Sequence, residues 1–316
     1  MNIGILGTGF GAYHASLIKE LYPQARIIVF GRNEAKLSKL QQELGVEITT
    51  NADDILLDDE VEIIDICLPS ALHERYAVAA LQNGKHVFCE TPVCLSMEDA
   101  VTMLKVETQS GRRVLVNQFI KFDPAYSYLY EAVQAGTYGK LLSFSLRRET
   151  SPMWGDLGLD SITLKLMIHE LDLLTALLGS GIQVTAWGTG GGKEEQALVR
   201  SLFVKEQLSA EITVSSLMPA AYPFTVGYEA YFEQVKLVFH ESEDASGNVD
   251  TALYVYGADG KQEIALVRKN PYELSIGHAL QSLHEGTPSP LSLDSAVQAL
   301  DLAVQLKHML APQVVG

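Results

Sequence analysis

Asn2-Ile3-Gly4-Ile5-Leu6-Gly7-Thr8-Gly9-Phe10-Gly11-Ala12 opens the chain with a short apolar run that passes directly into a glycine-rich turn. The turn reads G-x-G-x-x-(G/A), with Gly7, Gly9 and Ala12 in the three small-residue positions. In this reading Gly7 permits the tight turn, Gly9 lets backbone approach a diphosphate, and Ala12 lets the following helix pack closely on the strand. The diphosphate rests on the helix N-terminus, where unpaired N–H groups and the helix dipole favour an anion. Thr8, Phe10 and Gly11 complete the cradle. A glycine triplet alone is a weak signal, and its place between an apolar run and a helical pattern makes it specific.

Working outward, further apolar runs alternate with helical patterns as far as Asn117. Strands are expected at residues 26–30, 47–49, 63–68, 86–89 and 114–117, and helices at 12–21, 33–44, 72–82 and 97–110. The β-branched run Ile63-Ile64-Asp65-Ile66 suits a strand covered on both faces. Such alternation predicts a doubly wound parallel sheet, a Rossmann domain over residues 1–120. After Asp123-Pro124 the pattern changes. One helix (125–135) is followed by a strand (141–149), an irregular stretch (150–160) and an apolar helix expected to run unbroken over 161–178. Seven strand-like runs separated by turn signals follow, and two helices close the chain. This predicts an α+β domain over residues 121–316 with a large, mainly antiparallel, open-faced sheet. The fold class is therefore α/β with a second α+β domain.

The second strand ends Val29-Phe30-Gly31-Arg32-Asn33. A site built for NAD(H) places a carboxylate here on the ribose 2′-hydroxyl. None is present, and Arg32 offers a forked guanidinium to a 2′-phosphate. Gly31 and Arg32 thus predict NADP(H) as the preferred coenzyme, with NAD(H) second; the alternative for Arg32 is a solvated residue at a helix start.

Apolar residues make up 47% of the 316, enough for a sizeable core, and no apolar run has the length of a membrane span. The counts of 23 Lys+Arg and 39 Asp+Glu give a formal net charge of −16, which excludes a nucleic-acid or anionic-membrane binder of the ordinary cationic kind. Three cysteines (Cys67, Cys89, Cys94) have no metal-site spacing, and with no signal-peptide pattern at the N-terminus they read as reduced thiols of a cytoplasmic protein. No metal is expected.

Leu68-Pro69-Ser70-Ala71-Leu72-His73, Gly84-Lys85-His86-Val87-Phe88-Cys89-Glu90-Thr91-Pro92, Phe122-Asp123-Pro124-Ala125-Tyr126, Gly136-Thr137-Tyr138-Gly139-Lys140-Leu141 and Ile168-His169-Glu170-Leu171-Asp172 together resemble the glucose–fructose oxidoreductase/inositol dehydrogenase (Gfo/Idh/MocA) family. The resemblance implies hydride transfer between a nicotinamide and a sugar, cyclitol or related polyol, and a homodimer or homotetramer built on the open sheet. It places Leu68, Pro69, Ser70, His73, Glu90, Thr91 and Pro92 beside the coenzyme, and Lys121, Trp154 and Asp172 beside the substrate. Arg147 and Arg148, at the end of a strand, are expected to face the same cleft. His14 is expected to be a packing residue.

Two positions depart from the family pattern. The lysine of its E-K-P motif is Thr91, and the aspartate of its D-x-x-x-H motif is Lys165. On one continuous helix Lys165 and His169, spaced i, i+4, share a face. The pair is therefore the candidate acid/base couple, the alternative being that Lys165 pairs with a nearby carboxylate. A second class of function, a coenzyme-binding sensor without turnover, uses the same scaffold. Glycoside cleavage on a retained NAD is a third, disfavoured by Arg32.

Overall fold

A computed structural model describes residues 1–152, 155–191 and 195–311, which divide into two compact units. The first comprises Met1–Phe122 and Lys269–Leu300, and the second Asp123–Arg268 with the chain beyond Asp301.

In the first unit β1 (Asn2–Leu6), α1 (Phe10–Leu21), β2 (Arg26–Phe30), α2 (Glu34–Leu44), β3 (Glu47–Thr49), α3 (Asp53–Leu56), β4 (Ile63–Ile66), α4 (His73–Gln82), β5 (His86–Cys89), α5 (Met97–Ser110) and β6 (Val114–Val116) alternate. The six strands are all parallel in the order β3-β2-β1-β4-β5-β6, so the winding reverses between β1 and β4. Local chemistry sets the helix ends. Asn33 accepts the Lys36 N–H and Ser96 the Asp99 N–H at two N-termini, while Gly45 and Gly111 close the C-termini in the left-handed region. The fully buried strand residues Ile3, Ile5, Val29, Ile63 and Ile64 account for the near-continuous apolar runs.

The second unit holds α6 (Pro124–Ala135), β7 (Leu141–Glu149), α7 (Ile162–Lys165), α8 (Ile168–Leu178) and seven further strands. These are β8 (Gln183–Gly190), β9 (Ala197–Lys205), β10 (Leu208–Ser215), β11 (Phe224–Phe232), β12 (Lys236–Glu243), β13 (Val249–Gly257) and β14 (Gly260–Ile264). Their sheet runs β14-β13-β12-β11-β7-β10-β9-β8, antiparallel except for the β7–β10 pair. Strand alternation is clean in β9, where Ala197, Val199, Ser201 and Phe203 are buried while Arg200 and Leu202 are exposed.

Two expectations change. The helix expected over 161–178 breaks at Leu166-Met167 into α7 and α8. Leu164, Leu166, Met167 and Ile168 are all buried, so the break lies inside the unit and leaves no mark in the apolar pattern. The second change concerns α9 (Pro271–Glu285), which returns to the first unit, where Ile276, Ala279, Leu280 and Leu283 join the core formed by Ile3, Ile5 and Ile18. The sequence pattern alone places residues 121–316 wholly in the second domain. The final helix, α10 (Leu293–Leu310), begins within the first unit. No helix among the described residues is long and apolar enough to cross a membrane.

Candidate active site

The glycine loop joins β1 to α1 at the winding reversal, where open α/β sheets bind ligands beyond the carboxyl ends of their strands. Gly7 has φ +122, and a Cβ there would lie 2.4 Å from the Cys67 carbonyl oxygen, so only glycine fits. Its N–H donates to the Phe30 carbonyl (2.9 Å), tying the loop to β2. Gly9, at the N-cap of α1, is exposed with open space around it, as close approach of a diphosphate requires. Close packing on the strand falls on Gly11, with Ala12 partly buried against the same core. A Cβ at Gly11 would lie 3.0 Å from Ile5 Cγ2 and 3.4 Å from Cys67 Cβ, while Ala12 is only half-buried. The working spacing is therefore Gly-x-Gly-x-Gly, one residue tighter than the reading that used Ala12. Thr8 and the exposed Phe10 complete the loop. These features fit a dinucleotide.

At the end of β2, Gly31 is buried and donates its N–H to the Thr49 carbonyl (3.1 Å). Arg32 follows, exposed and with no ion pair among the described residues. Beyond β4, Leu68 and Pro69 lead into a short turn at Ser70–Leu72. His73 is 1% exposed, its ring nitrogens 2.9 Å from the Pro92 carbonyl oxygen and 2.7 Å from that of Leu68. It thereby pins the Glu90-Thr91-Pro92 turn after β5 to the segment after β4. Burial lowers its pKa, against the opposing effect of those carbonyls. The Thr91–Pro92 bond is cis, and the Thr91 N–H donates to Glu90 Oε2 (3.3 Å). Lys121 directs its ammonium to Gln118 Oε1 (2.8 Å), the Pro290 carbonyl (2.8 Å) and Ser295 Oγ (2.7 Å).

In the second unit the break between α7 and α8 separates the candidate acid/base residues. Lys165 lies on α7, its side chain 43% exposed, and donates to the Asp156 carbonyl (3.0 Å) with the Asp156 carboxylate 3.8 Å away. The shared-face geometry predicted for Lys165 and His169 is therefore not formed, and pairing with a nearby carboxylate is what Lys165 does. His169 begins α8; burial and the Arg148 guanidinium hold its pKa well below the usual imidazole value. Asp172, 2% exposed, lies one turn further along α8. Trp154 lies outside the described residues.

Arg147 and Arg148 point to opposite faces of β7, as successive strand residues must. They do not face one cleft. Arg147 is exposed and bonds His240 Nδ1 (2.8 Å). Arg148 is buried, with Nε 2.8 and 3.0 Å from the two Glu170 carboxylate oxygens and its guanidinium over the Phe224 ring. Arg148 is thus held in a buried pair and not in the cleft expected for it, and Glu170 carries no sequence signal because no spacing links position 148 to position 170.

Residues 1–118 match the model of the GFO_IDH_MocA oxidoreductase family, NAD-binding Rossmann fold. Over those residues the chain is similar to that family. It is 28% identical over 189 residues to a myo-inositol 2-dehydrogenase of Thermotoga maritima, covering 58% of this chain and 56% of that protein. Identity to an inositol 2-dehydrogenase of Paracoccus denitrificans is 30% over 184 residues, covering 56% and 54%. The chain thus spans about half the length of these curated relatives. A UDP-N-acetylglucosamine 3-dehydrogenase from Acidithiobacillus ferrooxidans superposes with a TM-score of 0.81 at 22% identity, covering 98% of this chain and 97% of that one. That likeness covers both units of the chain and shows a shared fold.

Proposed function

We propose that the protein is an NADP(H)-preferring oxidoreductase that moves a hydride between nicotinamide and a CH–OH carbon of a sugar, cyclitol or related keto or amino compound. The observation that carries this reading is the anion cradle between β1 and α1, with Arg32 exposed at the end of β2 and without an ion pair among the described residues. A bound nicotinamide dinucleotide would supply the hydride acceptor or donor. The chain's own residues supply the rest. The free N–H groups at the start of α1 bind the diphosphate, and Arg32 holds the 2′-phosphate.

His169 is the proposed acid/base. With its pKa held low it is a neutral imidazole at neutral pH, ready to take the proton of a substrate hydroxyl as hydride departs, which favours the oxidative direction. Asp172 orients His169 or the substrate hydroxyls from the next turn of α8. Lys121 fixes the segment around residue 119, and Lys165 contributes positive charge from α7. Homo-oligomerisation in the cytoplasm, through the sheet face that exposes Trp187, Leu202 and Tyr231, belongs to the same reading.

The test is the change in nicotinamide absorbance when the protein, NADP⁺ and a panel of polyols are mixed. Turnover with one member, lost by roughly 10²- to 10⁴-fold in His169→Gln, is the expected result. Tight coenzyme binding with no turnover across the panel would favour the sensor. Full activity in Lys165→Met would remove Lys165 from the mechanism.

A further inference from the structure

His14, on the inward face of α1, has no exposed surface, and neither does Asp65 of β4. Its Nδ1 lies 2.8 Å from Asp65 Oδ2, and its Nε2 lies 2.9 Å from Glu90 Oε1, an ionic contact, not an aligned hydrogen bond. The Cys67 thiol, just beyond β4, is 3.3 Å from Nδ1, with Phe88 stacked on the ring and Phe10 at its edge. Glu90 is held from its other side too. Asn117 Nδ2 donates to Oε1, Ser275 Oγ of α9 donates to Asn117 Oδ1, and the Thr91 N–H meets Oε2. A neutral imidazole would turn a lone pair toward one of the two carboxylates. Only the doubly protonated ring has a proton on each nitrogen and a positive charge to offer both carboxylates. Burial alone would lower the His14 pKa, but the Asp65 charge and the Cys67 contact outweigh it and raise it well above the usual imidazole value.

We propose that His14 is a positioning residue, an imidazolium clamped between Asp65 and Glu90 that fixes the Glu90 carboxylate in place and leaves one net negative charge beneath the coenzyme crevice. Asp65 and Glu90 stand at the carboxyl ends of neighbouring strands β4 and β5, beside the winding reversal. Glu90 keeps 14% of its side chain exposed, so its charge reaches the crevice. Oxidised nicotinamide carries a positive charge and the reduced ring none. The clamp therefore makes the protein favour the oxidised coenzyme. This half of the inference rests on the dinucleotide site proposed above.

Two measurements test it. Nitrogen NMR of the His14 ring in the free protein, between about pH 6 and 8 where an ordinary histidine titrates, reads its protonation directly. Both nitrogens protonated throughout is the expected result, and a neutral tautomer at neutral pH overturns the clamp. Titration of the wild type and Glu90→Gln with oxidised and reduced NADP then reads the charge. Glu90→Gln should shift the ratio of the two Kd values toward the reduced form by roughly tenfold, the order expected of one unit charge across a partly buried crevice. Mere loosening of the site weakens both forms alike, so an unchanged ratio overturns the charge assignment. If neither form binds the wild type, the dinucleotide reading fails and the coenzyme half falls with it, while the NMR result judges the clamp alone.

Discussion

Replacing Arg148 by Met should unfold the second unit under conditions where the wild type is stable. Arg148 and Glu170 are 6% and 0% exposed at their side chains and meet through Nε at 2.8 and 3.0 Å. Met fills much of the arginine stem's volume, so the loss is chiefly electrostatic: a carboxylate left in an apolar interior with its cation gone. Breaking one side of such a pair costs about 3–5 kcal/mol. For a unit of this size that lowers the melting temperature by roughly 6–20 °C. The cost depends on pH in a defined direction. Burial already raises the Glu170 pKa and Arg148 opposes it, so without Arg148 the carboxyl binds its proton more tightly still. The deficit should therefore shrink as pH falls toward the ordinary carboxylate range, where the carboxyl is protonated folded or unfolded, and grow toward neutrality. Removing both charges, in Arg148→Met with Glu170→Leu, should recover most of the loss. Calorimetry of the wild type and the two variants at two pH values provides the measurement. A single variant destabilised by less than about 1 kcal/mol, or a double variant no better than the single, would refute the argument.

Three further outcomes follow from the site. Arg32→Ala should weaken NADPH binding roughly 10- to 100-fold, the worth of a charged hydrogen bond, and leave NADH nearly unchanged, as competitive titrations would show. Gly11→Val should drive a side chain into Ile5 and Cys67, costing about 1–3 kcal/mol and abolishing coenzyme uptake, measured by denaturant melts and calorimetric titration. Burial and the nearby Glu241 raise the Asp123 carboxyl, which caps α6, from 3.8 to about 6. A carboxyl raised on folding stabilises fully below its unfolded pKa and loses that contribution as pH rises through its folded one. The wild type should thus lose stability between about pH 4 and 6, and Asp123→Asn should flatten that part of the profile.

The parallel sheet was readable because each strand carries its own signal: Ile63-Ile64-Asp65-Ile66 is apolar on both faces, and the glycine loop stands where a strand meets a helix. The large sheet was readable from its turns, with strand ends displaced by a few residues. Failures came where the local pattern carries no signal. The helix breaks at Leu166-Met167 inside an apolar run that reads as continuous, and Lys165 parts from His169. Ala12 met the written spacing, but contact with Ile5 and Cys67 assigned the close-packing role to Gly11. His14 looked like a packing residue because its partners stand at positions 65, 67 and 90, reached only through the strand order β1-β4-β5. Distant partners leave no spacing to read.

The return of α9 to the first unit has a consequence for how the chain acquires its structure during synthesis. A nascent chain ending at Phe122 already contains all six parallel strands, yet it lacks Ile276, Leu280, Leu283 and Leu291 from its core and Ser275 from the Asn117 amide. The ribosome must deliver the whole intervening unit before that gap can be sealed. Until then the emerging Rossmann half presents an open apolar seam, a natural substrate for chaperones. A fragment cut at residue 122 should share that exposure, binding a hydrophobic dye and clumping where the intact chain stays dispersed.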